Sequence, residues 1–217
     1  MTCLGLAATA IMFLAIGAGL RPYFLPMSTP IHVSLSDTEI GFIQDMGAHH
    51  QQALFMVERL EPDIDPAVHR LGRQIESTQR TEVGTLQGWL RLVNAPMTNP
   101  HPMGWMEPDA TDNSAGHQHR ETAESGGPTL VKMPGMATWT ELDQLGRSRG
   151  PDAEVLFLQL MLRHHKGGVE MAQNFVRQQQ SGPVHEAAQG MIQDQGQEIA
   201  VMSMLLEQRQ SLPMPYP

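Results

Sequence analysis

The chain has 217 residues and 41% hydrophobic content, enough for one medium domain with its own core plus an appendage. Its single cysteine, Cys3, excludes an intrachain disulfide and every thiolate-rich metal site. The net charge of -9 excludes the basic footprint that nucleic-acid binding requires and favours cations as partners.

The opening stretch MTCLGLAATAIMFLAIGAGL carries no charge, is apolar all round and is long enough to cross a bilayer. No Lys or Arg precedes it, so the basic start of a cleaved signal peptide is missing. Residues 1–25 are therefore expected to be a membrane anchor. The domain would then sit outside the cytoplasm on a single transmembrane helix in the cell membrane; the alternative is secretion after signal cleavage. Arg21 on the outer side runs against the positive-inside tendency.

Ser36-Asp37-Thr38-Glu39 is a capping box that predicts a helix running to about Glu61, where Pro62 stops it. Asp65-Pro66 supplies an N-cap and a first helical position for a second helix to about Val93, ended by Asn94-Ala95-Pro96. Residues 95–137 are rich in Pro, Gly, Asn, Ser, His and Met, show no period and are expected to form a long loop. That loop holds His101, Met103, Met106, His117, His119, Met133 and Met136, candidate soft ligands on an arm. Thr138-Trp139-Thr140-Glu141 then caps a short helix. Pro151-Asp152 starts a long one to about Gln180, and Ser181-Gly182-Pro183 turns the chain into a last helix to about Gln210.

The two halves repeat. At an offset of 115 residues Phe42 matches Phe157, Gln44 matches Gln159, Met46 matches Met161, His49 and His50 match His164 and His165, and Met56 matches Met171. One residue further, Gln79-x-x-Glu82 matches Gln195-x-x-Glu198. Two duplicated helical hairpins, 36–94 and 151–210, bury their stripes best as an antiparallel four-helix bundle, so the fold class is all-α over residues 34–210.

On a helical projection Phe42, Met46, His49, His50, Ala53, Met56 and Leu60 fall within one arc of about 120°, as do their counterparts in the second half. Ile75, Gln79, Glu82 and Leu86 form the core stripe of the second helix, and Met191, Gln195, Glu198 and Met202 repeat that spacing. A buried carboxylate must be paired, and the histidines are the nearest donors. One explanation is a His–Glu hydrogen-bond network that fixes bundle register. The other is a metal site. In that reading Met46, His49, His50, Met56, Met161, His164, His165 and Met171 supply imidazole and thioether ligands, while Gln79, Glu82, Gln195 and Glu198 orient the rings. With 16 methionines, 10 histidines and no thiolate cluster, such a set suits copper, Cu(I) above all. Adjacent residues lie about 100° apart, so one histidine of each pair is expected to meet its counterpart across the bundle while the other turns to Glu82 or Glu198.

The duplicated M-x-x-H-H with its trailing Met, the VKMPGMAT segment and the long helix after it resemble the bacterial domain-of-unknown-function family 305, over roughly residues 34–210. The resemblance implies a ferritin-like, secreted or membrane-anchored four-helix domain, linked in some members to copper binding and resistance. Gly167-Gly168, two helix-weakening residues inside the second motif, depart from that pattern. His185-Glu186-Ala187-Ala188-Gln189 begins like a zinc-protease helix but lacks its second histidine. Glu-x-x-His pairs of di-iron bundles are absent from the sequence. The expected function is extracytoplasmic copper buffering, transfer or resistance without catalysis. A metal-dependent redox enzyme and a structural cell-envelope module are the alternatives. Expected partners are a metal ion and, through the N-terminal segment, the membrane; self-association and a copper-accepting partner are further alternatives.

Overall fold

Ser36 opens the first helix through a reciprocal cap: its hydroxyl accepts the Glu39 N–H at 3.2 Å and the Glu39 carboxylate accepts the Ser36 N–H at 2.8 Å. The computed structural model describes Met12 and residues 34–106 and 133–216. It contains helices α1 (Asp37–Glu58), α2 (Pro66–Leu92), α3 (Trp139–Arg147), α4 (Gly150–Gln178) and α5 (Pro183–Gln208), and a single 3-10 turn, Gly104–Met106. Among the described residues there is no strand. None of their helices is long and apolar enough to cross a membrane. The anchor expected over residues 1–25 lies, apart from Met12, outside the described residues.

Thr138 repeats the reciprocal cap with Glu141, and Asp65 caps α2 by accepting the Ala67 N–H at 2.7 Å. The ends depart slightly from expectation. α1 stops at Glu58 rather than Glu61, because Pro62 disfavours helical geometry in the residue before it and the chain unwinds earlier. α2 is closed by Asn94 in the left-handed region at φ 56°, a conformation asparagine tolerates.

Residues Leu35–Pro217 form one compact unit. Each half is a hairpin, α1 against α2 and α4 against α5, and α1 packs on α4 to join them. The α1–α4 pair runs antiparallel. Phe42, near the start of α1, stacks on Phe175 near the end of α4 at 4.2 Å, while His49 and His164 meet halfway along. The apolar core is consequently split in two. One part gathers Met56, Ile75, Phe157, Met161 and Met202; the other gathers Phe42, Met46, Leu86, Met171 and Phe175. The histidines lie between them.

The loop expected over 95–137 needs correction at both ends. Residues 95–106 and 133–137 are tied down on the bundle. Asp45, buried on α1, accepts the Met103 N–H at 2.7 Å, the Trp105 indole N–H at 2.8 Å and the Asn99 amide at 3.0 Å. Gln44 donates to the Pro96 carbonyl at 2.7 Å. A stretch without a sequence period gives no sign of these contacts, two of which end on main-chain atoms of Pro96 and Met103 and two on the side chains of Asn99 and Trp105.

Candidate metal centre

His49, His50, His164 and His165 are all 0% exposed. Burying four imidazoles is costly unless their nitrogens are used, and one nitrogen of each is. The His50 Nε2–H donates to Glu82 at 2.7 Å, and the His165 Nε2–H donates to Glu198 at 2.8 Å. The other two turn to each other across the bundle, with ring centroids 3.8 Å apart and planes 28° from parallel. The His49 Nε2–H donates to the Pro134 carbonyl at 3.0 Å, and the His164 Nε2–H donates to the His49 carbonyl at 3.0 Å. The division of labour expected within each pair is therefore present. The two carboxylates differ in depth: the Glu198 side chain is 3% exposed and that of Glu82 is 17%.

The second nitrogen of every ring is unused. Nδ1 of all four histidines is buried without a hydrogen-bond partner, as are both amide atoms of Gln79 and of Gln195. Such atoms are rare in a folded interior, and their concentration in one layer needs a chemical reason. Met46 and Met171 lie in the core on one side of the layer, Met56 and Met161 in the core on the other, all fully buried. Free imidazole lone pairs between thioethers form a donor set that fits a soft cation. Among the described residues no three His, Cys, Asp or Glu side chains gather about one point. An ion held here would therefore draw on few imidazoles, with thioethers to complete its shell.

The electrostatics keep the central pair neutral. Burial, reinforced by the neighbouring His50, lowers the His49 pKa to about 3. Burial and the facing His49 hold His164 well below the ordinary imidazole range. A folded-state pKa below the unfolded value of 6.5 means stability is fully present above pH 6.5 and is lost as pH falls through that value toward 3. The metal-free protein should therefore show a lower urea midpoint at about pH 5 than at about pH 7, before most carboxylates titrate. An unchanged midpoint would mean the imidazoles are not buried neutral. Asp45, raised by burial, works in the opposite sense only near the carboxylate range.

Gly167 and Gly168, the departure noted in the second motif, are what the site requires. α4 runs unbroken through both. A Cβ on Gly167 would lie 1.9 Å from the Pro134 oxygen, and one on Gly168 would lie 2.4 Å from the Gln195 amide oxygen. The first glycine lets the Met133–Ala137 segment lie against the helix; the second makes room for Gln195. That segment is a strap over His49. Gln52 pins its end by donating to the Ala137 carbonyl at 3.0 Å and accepting the Ala137 N–H at 2.7 Å. Gly135, at φ 76°, presses against the Arg163 carbonyl. Arg163 holds Glu141 at 2.8 Å, and this pair keeps the Glu141 pKa down at about 2.

Pro134, Gln52 and Gly167 are site residues the sequence reading missed. The VKMPGMAT segment was the available signal for the first. Of the described loop candidates, His101 is exposed, Met103, Met106 and Met133 pack on the apolar core and Met136 is half-buried; His117 and His119 lie outside the described residues. His185 hydrogen-bonds to the Gln179 carbonyl at the α4–α5 turn.

Two helical hairpins that each bring an HH pair into one buried layer define an all-helical protein with a candidate soft-metal centre. The chain belongs to the DUF305 family, a domain of unknown function, whose family model matches residues 39–206. A DUF305 protein from Streptomyces coelicolor, described as secreted, is 35% identical, with a TM-score of 0.68 over 82% of this chain and 96% of that one. A DUF305 fragment from Deinococcus radiodurans is 24% identical, with a TM-score of 0.62 over 81% of this chain and 99% of that one. CopM in its Cu(I)-bound form is 20% identical, with a TM-score of 0.54 over 81% of this chain and 98% of that one; these last two likenesses concern the fold. Cu(II)-bound and Ag-bound forms of CopM have the same fold. Among curated proteins, none matches the chain.

Proposed function

We propose that the histidine layer binds copper, Cu(I) in preference, and that the protein buffers it or passes it on outside the cytoplasm as part of copper resistance. The observation that carries this reading is the set of four buried Nδ1 atoms without partners, bounded on both sides by buried methionines. Neutral imidazole and thioether donors select a soft monovalent ion over magnesium or calcium, which require oxygen. The copper- and silver-bound forms of CopM support the choice of metal within this fold. The secreted relative from Streptomyces coelicolor supports the location. A ferritin-like antiparallel four-helix bundle held at the membrane by residues 1–25 belongs to the same proposal.

The ion would sit in the layer formed by His49, His50, His164 and His165, held by few of these imidazoles at once, with Met46, Met56, Met161 and Met171 beside them. Glu82 and Glu198 fix the rings of His50 and His165, while Gln79 and Gln195 line the layer. Bound copper supplies no reaction in this reading; it is the cargo. The test is a competition titration of the full chain with a Cu(I) chelator, together with elemental analysis. Retention of Cu(I) against the chelator is expected, and protein that loses all copper to it would reject the reading.

The acidic partners give a finer test. Glu82→Leu should leave the fold intact, because Leu fills the same stripe, but it frees the His50 ring from its acceptor. Cu(I) affinity should fall by roughly 10- to 100-fold, the usual size of such a supporting loss. Unchanged affinity in a folded variant would show that Glu82 does not orient a ligand.

A further inference from the structure

The central pair carries more information than a list of ligands. A backbone carbonyl can only accept a hydrogen bond, so each nitrogen facing one must bear the proton. His49 Nε2 faces the Pro134 carbonyl and His164 Nε2 faces the His49 carbonyl, both at 3.0 Å. With both rings neutral, the proton sits on Nε2 and the lone pair on Nδ1. In both rings that lone pair is buried and without a partner. Histidines of the outer pair face carboxylates, which impose the same orientation less strictly because a carboxyl group can itself take a proton.

We infer that this protein takes its soft monovalent cation through Nδ1 of His49 and Nδ1 of His164, and that both rings keep their Nε2–H bonds to backbone carbonyls throughout. The inference rests on the copper reading above and deepens it by assigning the ligand atoms. Which ring nitrogen binds a metal is set by the hydrogen bond the other one makes. Here those bonds are built into the fold. The acceptor for His164 belongs to α1 itself. The acceptor for His49 belongs to the strap, which can approach only because residue 167 is glycine. Pro134 and Gly167 are thus positioning residues for His49: they touch no ion and determine which atom faces one.

This assignment separates the site from one built on Nε2. Binding through Nε2 would break both carbonyl bonds, pull the strap away and leave the Pro134 oxygen without its donor. Binding through Nδ1 requires the two stacked rings to turn about their Cβ–Cγ bonds so that their in-plane lone pairs converge, but it leaves both carbonyl acceptors in place and satisfies atoms that otherwise lack a partner.

Silver(I) is the probe, because it is soft, monovalent and couples magnetically to a directly bonded nitrogen. Long-range proton–nitrogen correlation spectra of the ¹⁵N-labelled full chain are recorded without metal and with Ag(I). The expected result is a protonated Nε2 at His49 and His164 in both states, with one-bond silver coupling appearing at Nδ1 of both. Coupling at Nε2 of either residue, or an Nδ1-protonated tautomer in the metal-free chain, would overturn the inference and leave the copper reading standing. Absence of silver coupling at every imidazole nitrogen would overturn both. Gly167→Ala adds a readout that stability alone does not move. If it folds, the Nε2–H signal of His49 should shift with the displaced strap while that of His164 stays; shifts equal in both rings, or in neither, would remove Pro134 and Gly167 from the positioning role.

Discussion

Replacing His49 and His50 together by alanine is expected to abolish most high-affinity Cu(I) binding, although His164 and His165 remain. The duplication invites the opposite expectation, since two copies of a ligand set can make two independent sites. The geometry argues for one. His49 and His164 stack at 3.8 Å across the α1–α4 seam, and His164 itself leans on the His49 carbonyl. The layer is closed above and below by methionines from both helices, Met46 with Met171 and Met56 with Met161. Removing one half's imidazoles therefore takes away half of a shared shell. A Cu(I) competition titration beside the wild type decides the matter. Two independent sites would retain about half the copper at unchanged affinity, and binding unchanged in amount and affinity would reject the histidines altogether.

The second large effect concerns a single hydrogen-to-methyl change. Gly167→Ala places a Cβ 1.9 Å from the Pro134 oxygen, with the Gly135 nitrogen 2.9 Å away, so backbone must move. Overpacking of this kind costs about 1 to 3 kcal/mol, and because the obstacle is main chain rather than a flexible side chain the upper part of that range applies. Alanine's better helix propensity returns about 1 kcal/mol at most. Gly47 in α1 is the control, since a Cβ there meets nothing within 4 Å. Urea unfolding of the two alanine variants should show Gly167→Ala destabilised and Gly47→Ala neutral or slightly stabilised. Equal behaviour would mean that the strap does not press on α4.

The helices were legible because their signals are local. The Ser36–Glu39 and Thr138–Glu141 boxes, the Asp65-Pro66 start and the Ser181-Gly182-Pro183 turn each act through backbone groups a few residues away. The pairing of His50 with Glu82 and of His165 with Glu198 was legible for a different reason. A carboxylate on a buried stripe must find a donor, and the histidines were the nearest candidates. The strap was not legible. Its attachment runs from Gln52 and His49 to main-chain atoms of Pro134 and Ala137, 85 residues away, and backbone acceptors leave no trace in residue type. For the same reason Gly167 read as a weakness in α4, whereas close approach of another chain segment is what makes glycine necessary there. Asp45 was overlooked because it gathers Asn99, Met103 and Trp105 from a stretch with no periodicity of its own.

The central claim, that buried imidazoles and thioethers together hold a soft cation, is tested most directly by X-ray absorption at the copper K edge of the Cu(I)-loaded full chain. The expected spectrum carries the multiple-scattering signature of imidazole together with a sulfur shell, at low coordination number. A shell of oxygen or of sulfur alone, without imidazole, would contradict it.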